Sequence, residues 1–261
     1  LLAVRGDRAA GLRVLRQARP TATDAELETA ADEMGAAAAR DGATAAAGGP
    51  GSGFWSARLR RPILLAFLVA FFNQLSGINA ILYYAPRIFE LAGLKADAAL
   101  LQSTGVGVVN LVFTFVGLWL IDRVGRRTLL YVGSFGYIAS LGLTAWAFAA
   151  GRVGIVPACV FGFIAAHAVG QGTVIWVLIA EVFPDRYRAT GQSLGSTTHW
   201  VFAALLTTFF PKIVGSFQPQ YVFAFFCGMM VLHLVWVWAM VPETKGVTLE
   251  EIERRLGVRA A

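Results

Sequence analysis

Six uncharged runs, each long enough to cross a membrane, alternate along this chain with short clusters of charged residues. The shortest contains 23 residues, and a hydrocarbon core of about 30 Å needs about 20 helical residues. The pattern therefore predicts an all-α, polytopic membrane protein with six transmembrane helices. The runs are Pro62–Pro86, Ala98–Ile121, Thr128–Gly151, Val153–Ala180, Ala189–Pro211 and Ile213–Pro242.

The first run contains a polar interruption at Ser76-Gly77-Ile78-Asn79, and Pro86 lies near its outer end. Glycine inside a membrane helix permits close packing or a local break. Broken helices commonly line the midplane cavity in which a transporter binds its substrate. We therefore expect a break in the first membrane helix, next to a binding site.

A more polar segment precedes the first run. A first helix is predicted over Asp7–Arg19, and Thr23 with Glu26 forms a capping-box pattern for a second helix that ends near Met34. The Ala/Gly-rich residues 35–53 are typical of a flexible linker. The predicted division is residues 1–53 as a cytoplasmic helical segment with linker, 54–246 as the six-helix bundle, and 247–261 as a cytoplasmic tail. Because the chain starts at Leu1, we interpret it as a fragment that lacks its N-terminal part.

Composition and charge support a membrane protein. Apolar residues make up 57% and charged residues 15%, against about 25% charged in soluble domains. Basic residues concentrate in every second connection and at the end of the chain, which marks that side as cytoplasmic. Both ends are then cytoplasmic, and the net charge of +6 indicates contact with membrane lipid. Aromatic residues lie mostly inside the apolar runs, which argues against a nucleic-acid partner.

Uncharged polar side chains inside the runs are the main functional signal. Each membrane amide could simply hydrogen-bond a neighbouring helix, but several amides on different spans favour a polar cavity. Amides both donate and accept, which suits a neutral polyhydroxylated ligand, and aromatic faces can pack on a sugar ring. The candidates for this cavity are Asn73, Gln74, Asn79, Asn110, Trp176 and His199.

No catalytic, cofactor or metal-binding pattern is found in the sequence. Cys159 and Cys227 lie in apolar runs without disulfide or metal spacing. His167 and His233 each stand alone in an apolar run, which favours hydrogen-bonded structural histidines. An enzyme is therefore the least favoured class.

Carboxylates and arginines lie together at the predicted inner membrane edge. They occur in Asp122-Arg-Val-Gly-Arg-Arg127, in Glu181-Val-Phe-Pro-Asp-Arg-Tyr-Arg188 and in Pro242-Glu-Thr-Lys-Gly246. They could serve only to set the topology. Alternatively they form a partly buried ion-pair network that holds one conformational state.

These segments, in this order, resemble the sugar porter family of the major facilitator superfamily. The resemblance covers nearly the whole chain. It is carried by these motifs: Gln74-Leu-Ser-Gly-Ile-Asn79 with Tyr83-Tyr84; Asp122-Arg-Val-Gly-Arg-Arg127; Trp176 with Glu181-Val-Phe-Pro184 and Arg188; and Pro242-Glu-Thr-Lys-Gly246 followed by Thr248-Leu-Glu-Glu-Ile-Glu253.

The resemblance implies one half of a twelve-helix major facilitator fold, namely the C-terminal six-helix half together with the central cytoplasmic segment. It implies transport of a sugar or related polyol by alternating access. The partners would be the sugar, membrane lipid, the missing N-terminal six-helix half and, for a symporter, protons. No cofactor is implied.

The resemblance also assigns roles to residues. Gln74, Asn79, Asn110, Trp176 and His199, with Asn73, would bind the sugar, and Tyr83 and Tyr84 would close the outer side. The cytoplasmic latch would consist of Asp122, Arg123, Arg126, Arg127, Glu181, Arg188 and Glu243.

The chain departs from the family's usual residues at three places. It has Asn73 in place of a glutamine, His199 in place of an asparagine or glutamine, and Thr173 where proline is common. These departures bear mainly on sugar identity. Two alternatives stay open at this stage. One is a transporter of the same fold for another small solute, such as an organic acid, and the other is a non-transporting sugar sensor.

Overall fold

The computed structural model describes residues 7–46 and 53–258, and these form helices and connecting turns with no strand. The all-α prediction is confirmed. Contacts divide the chain into two compact units, Leu1–Ala57 and Arg58–Ala261.

The first unit contains two helices, α1 (Arg8–Ala18) and α2 (Asp24–Ala46). The predicted capping box is present: the Thr23 backbone N–H donates to Glu26 Oε2 at 2.7 Å, and the Glu26 N–H donates to Thr23 Oγ1 at 3.4 Å. These bonds from Thr23 hold the pKa of the Glu26 carboxyl below its ordinary value. Arg8 of α1 pairs with Glu28 and Asp32 of α2.

The prediction of a flexible linker from residue 35 is wrong for residues 35–46, because α2 continues to Ala46. This stretch is rich in alanine, the residue with the highest intrinsic helix propensity, and it contains no proline. Alanine content therefore outweighed the scattered glycines. The rest of the predicted linker, 47–52, lies outside the described residues.

The second unit is a helical bundle. A 3₁₀ turn precedes its first helix, another lies at Val153–Ile155, and a π-helical turn lies at Ala168–Gly172. The helices are α3 (Arg60–Leu75), α4 (Ile78–Tyr83), α5 (Ala85–Leu91), α6 (Ala96–Val124), α7 (Arg126–Ala149), α8 (Val156–His167), α9 (Thr173–Val182), α10 (Asp185–Ser216), α11 (Pro219–Met240) and α12 (Leu249–Arg255).

The predicted break in the first membrane run is present between α3 and α4. Gly77 adopts φ +85°, a left-handed conformation that favours glycine. A Cβ at this position would lie 2.7 Å from the Phe226 ring of α11. Backbone conformation and close packing therefore both call for glycine here, and the break turns Asn79 back toward Gln74.

Five helical stretches in the described residues are long and apolar enough to cross a membrane, whereas the sequence analysis expected six. They are Ala57–Tyr83, Ala96–Val124, Arg126–Ala149, Val153–Val182 and Pro219–Met240. The remaining predicted run, 189–211, lies within α10, which is 32 residues long. Its first half is rich in Ser, Thr, Gln and His, so α10 has the length of a span but a lower apolar content.

The core of the bundle lies where α7 packs against α8 and α11 and where α3 packs against α10. Val69, Leu130 and Tyr137 are completely buried. Helix α6 is less buried than the other long apolar helices, since only 17% of its most apolar stretch is buried. The packing of α3 on α10 brings the polar residues of the two helices together in the interior.

Candidate functional site

Gln74 is the centre of a polar cluster between α3, α4 and α10. Its Nε2 lies 3.0 Å from Asn73 Oδ1 and 3.0 Å from His199 Nδ1, and its Oε1 accepts from Asn79 Nδ2 at 2.9 Å. Gln74 is completely buried and Asn73 nearly so. These four residues, which we call the Gln74 cluster, join three helices through neutral side chains.

Aromatic rings enclose the histidine of this cluster. The His199 ring centroid lies 5.3 Å from the Trp176 ring of α9 and 5.1 Å from the Trp200 ring. Asn79, Trp176 and His199 are half-buried, in contrast to Gln74. The accessible face of the site is therefore formed by an amide, an imidazole and an indole.

The polar atoms that are free to meet a ligand are few. Gln74 uses both amide hydrogens and its oxygen within the cluster. Among the described residues, no hydrogen-bond partner is found for Asn79 Oδ1 or for the indole N–H of Trp176. The second ring nitrogen of His199 contacts Gln74 alone. An uncharged surface of this kind, beside an indole face, suits hydroxyl groups and the apolar side of a sugar ring.

Asn110 and the two predicted gate tyrosines lie apart from the Gln74 cluster. No hydrogen bond joins the Asn110 side chain to it among the described residues, and the Asn110 carbonyl accepts from Thr114 Oγ1 at 2.7 Å. The Tyr84 hydroxyl donates to the Thr207 carbonyl of α10 at 3.0 Å, and its ring lies 5.2 Å from Phe210. Tyr83 is 63% exposed. Tyr84 thus fixes the end of α4 against α10, whereas Tyr83 projects freely.

A second polar cluster lies at the ends of α6, α7, α9 and α11. Arg126 donates two parallel hydrogen bonds to Glu181, from Nε at 3.1 Å and from NH2 at 2.7 Å. Its NH1 donates to Asp122 at 2.9 Å. Thr244 Oγ1 donates to Glu181 Oε2 at 2.6 Å. Only 11% of the Arg126 side chain and 27% of the Glu181 side chain are exposed. Bidentate charge-assisted bonds at this degree of burial are stronger than an exposed ion pair.

Glu243 completes this cluster by capping the start of α7. Its Oε1 accepts from the backbone N–H groups of Arg126, Thr244 and Lys245, each at 3.0 Å, and its Oε2 accepts from that of Arg127 at 3.1 Å. The first N–H groups of a helix have no partner within the helix and favour negative charge. The carboxylate therefore ties the segment after α11 to α7.

The side chains of the other three predicted latch residues do not pair with Glu181 or Glu243 in the described structure, although the backbone N–H of Arg127 donates to Glu243. Arg123 stacks on Trp119 at 3.9 Å, and Arg127 donates to the Trp238 carbonyl at 2.7 Å. Arg188 donates to the Ala180 carbonyl at 2.9 Å and pairs with Asp185. Arg127 and Arg188 thus anchor backbone carbonyls around the cluster, whereas Arg123 packs on an aromatic ring.

Sequence reasoning did not select Thr244 or Tyr137. Thr244 lies inside the Pro242–Gly246 motif, which was the available signal. The Tyr137 hydroxyl lies 2.6 Å from His167 Nδ1 and 3.3 Å from Gln171 Oε1. Only the position of a tyrosine in the middle of an apolar run pointed to this contact. The expected hydrogen bonds are present for His167 and for His233, whose Nδ1 lies 2.8 Å from Ser134 Oγ.

Comparison with known proteins decides the family. Residues 2–256 match the family model described as "Sugar (and other) transporter". The chain belongs to the sugar transporter family. Its fold is that of the major facilitator superfamily: a xylose symporter structure, that of XylE bound to 6-bromo-6-deoxy-D-glucose, aligns with a TM-score of 0.76 and 30% identity over 98% of this chain and 53% of that one.

Curated members of the sugar transporter family align with the chain over about 200 residues. The arabinose-proton symporter of Bacillus subtilis is 35% identical over 200 residues, covering 75% of this chain and 43% of the symporter. The glucose transporter GlcP of Staphylococcus epidermidis is 34% identical over 205 residues, covering 77% and 46% respectively. The chain thus spans about half the length of the curated relatives it matches. Membership of this family makes it a multi-pass membrane protein.

Proposed function

We propose that the chain is the C-terminal half of a transporter that moves a sugar or related polyol across the membrane by alternating access. The observation that carries the proposal is the Gln74 cluster, in which neutral amides and His199 meet the Trp176 indole between three helices. An ionic solute would call for an opposite charge at this place, and the cluster contains none. The names of the relatives, which include arabinose, glucose and polyol transporters, support the same substrate class.

The proposal extends to the missing partner and to coupling. The sparsely buried apolar face of α6 supports contact with lipid or with the N-terminal half of the transporter. Protons are the candidate coupling ion, because relatives are named proton symporters. Asn110 lies on this same helix. It would contact the sugar only in a cavity that the missing N-terminal half completes.

We also propose that α10 crosses the membrane as a sixth span, with its polar first half facing the cavity. An even number of spans then puts both ends of the chain on the cytoplasmic side, where Arg126, Glu181 and Glu243 form the latch. The arginine bias of the connections supports this orientation.

Transport by the full-length protein in proteoliposomes tests the function. Asn79→Ala is expected to weaken uptake of radiolabelled monosaccharide by raising KM about 5- to 150-fold, since leaving a buried polar group without its partner costs about 1–3 kcal/mol. Thr104→Ala is the control, because its hydroxyl bonds only the Leu100 carbonyl of its own helix. If wild-type protein takes up neither glucose, xylose nor arabinose, nor a polyol such as sorbitol, the proposed function is wrong.

Cysteine labelling tests the orientation. Gly154→Cys lies in an open turn after α7, and Glu250→Cys lies on the exposed surface of α12. In sealed right-side-out vesicles, a membrane-impermeant maleimide should label the first and not the second, and permeabilisation should expose both. Labelling of both positions before permeabilisation would contradict the topology.

A further inference from the structure

The hydrogen bonds of Gln74 determine the protonation state that His199 needs. The atom of Gln74 that faces the imidazole is Nε2, which lies 3.0 Å from Nδ1 and 3.3 Å from the other ring nitrogen. An atom this close to both ring nitrogens lies over the face of the imidazole and not in line with one lone pair, so the Gln74 N–H meets the ring face. A neutral imidazole attracts this N–H, whereas an imidazolium carries a positive charge, donates from both nitrogens and repels it.

We propose that His199 is a positioning residue for Gln74, and that protonation of His199 dismantles the Gln74 cluster and thereby abolishes sugar binding. The proposal rests on the proposed function, and it adds a role for the one residue of the cluster that can take up a proton. An asparagine or glutamine at position 199 would hold Gln74 without any response to pH.

The way in which Gln74 is enclosed explains why the effect spreads through the site. Gln74 has no solvent-exposed surface, so water cannot replace a lost bond. An imidazolium would place a positive charge against the Gln74 N–H, and the amide would have to turn to present its oxygen. That turn removes the acceptor of Asn79 Nδ2 and the donor to Asn73 Oδ1. The accessible face of Asn79 therefore changes together with that of His199.

The titratable groups near His199 are already held by other partners, so His199 is the group that responds to a change of pH. The Nδ1 of His167 on α8 is already engaged by the Tyr137 hydroxyl at 2.6 Å. The helices packed against α10 are α3, α4, α9 and α11. Glu181 is held by Arg126, and His233 by Ser134. The titratable or charged side chains of α10 and of these four helices are Arg60, Arg61, Tyr83, Glu181, Asp185, Arg186, Tyr187, Arg188, Lys212, Tyr221, Cys227 and His233.

Equilibrium binding to the purified full-length protein tests the proposal. Binding of radiolabelled D-glucose and D-xylose is measured in detergent, where no proton gradient exists, from about pH 8 to about pH 5. Wild-type affinity should fall at least about tenfold across this range, since tenfold corresponds to about 1.4 kcal/mol. His199→Asn should remove the fall whatever its affinity at pH 8, because the Oδ1 of asparagine accepts from Gln74 at every pH in this range. His199→Leu should bind weakly at every pH.

The matched control is His233→Phe. His233 is also a buried histidine, but it lies on α11, outside the Gln74 cluster. Its ring contacts Phe72 and Trp236, so a phenylalanine fits these aromatic surroundings. The pH response should persist in this variant. Should His199→Asn fail to fold, ¹⁵N-histidine NMR of wild-type protein tests the same point: the His199 ring should be neutral at pH 8 and doubly protonated where binding is lost.

Three results would overturn the proposal. One is an unchanged pH response in His199→Asn, and another is a His199 ring that stays neutral while affinity falls. The third is an affinity that rises on acidification, which would require Gln74 to present its oxygen to His199. Absence of sugar binding by wild-type protein at pH 8 is a separate result, because it contradicts the proposed function itself.

Discussion

Glu181→Ala is expected to lower the free energy of unfolding by about 3 kcal/mol, because it leaves a largely buried guanidinium without its main partner. Arg126 would lose two charge-assisted bonds and keep only the Ile121 carbonyl and Asp122, whose side chain is 79% exposed. Thr244 would lose its acceptor as well. Thermal unfolding of the purified full-length protein measures the effect, with the fraction of protein that stays monodisperse as the signal.

The matched control for this variant is Arg87→Ala, which removes the exposed ion pair with Glu90 on α5. Such pairs contribute about 0–1 kcal/mol, so its melting temperature should barely move. Arg126→Lys should resemble Glu181→Ala, because an ammonium group cannot form both parallel bonds. If Glu181→Ala and Arg87→Ala melt alike, the Arg126 and Glu181 pair contributes no more than a surface ion pair.

The same substitution has a functional consequence under the proposed mechanism. Loss of the Arg126 and Glu181 pair should shift the resting population toward the inward-open state. A cysteine on the cytoplasmic side should then react faster with a maleimide in Glu181→Gln than in wild-type protein. Equal rates would leave these charges with a role in topology and in stability only.

Gly125→Ala is expected to cost about 3 kcal/mol or more of stability, for two reasons that act together. Gly125 has φ +99°, which residues with a side chain rarely adopt. In addition, an added Cβ would lie 2.5 Å from Glu243 Oε2. The carboxylate would have to leave the start of α7, and the backbone N–H groups it caps would lose their acceptor.

Gly93→Ala separates the two reasons. Gly93 has φ +88°, but a Cβ there would meet nothing within 4 Å. This variant therefore reports backbone strain without displacement of a carboxylate, and it should cost about 1–2 kcal/mol. The difference between the two melting temperatures is an upper limit for the contribution of the Glu243 cap, because Gly125, with ψ 160°, lies in a region that is essentially restricted to glycine. Equal losses in the two variants would show that the cap contributes little.

The residues that sequence reasoning placed best are those whose role depends on neighbours along the chain. The break at Gly77 and the capping box of Thr23 and Glu26 each follow from a few consecutive residues. The error at residues 35–46 has the same local origin, since glycine and proline near this stretch outweighed its alanine content in the interpretation. The absence of charged residues also predicted six similar membrane helices, although α10 is more polar than the five candidate spans.

Contacts between distant residues could be anticipated only as sets. The sequence indicated that amides and aromatic residues share a cavity, but not that Gln74 is fully enclosed or that His199 is its partner. Likewise the three charged motifs suggested a network, but not which carboxylate caps α7 and which binds Arg126. These choices depend on distances of a few tenths of an ångström across helices that are far apart in the chain.

The amino-acid sequence by itself determined the fold class and the presence of apolar runs long enough to cross a membrane, because hydrophobic burial in lipid depends on composition and length. The tertiary structure decided which of the polar side chains are free and which are occupied. A hydrogen bond requires a donor and an acceptor within about 3 Å in suitable alignment, and only the packing of α3, α4 and α10 brings Gln74, Asn79 and His199 to that distance.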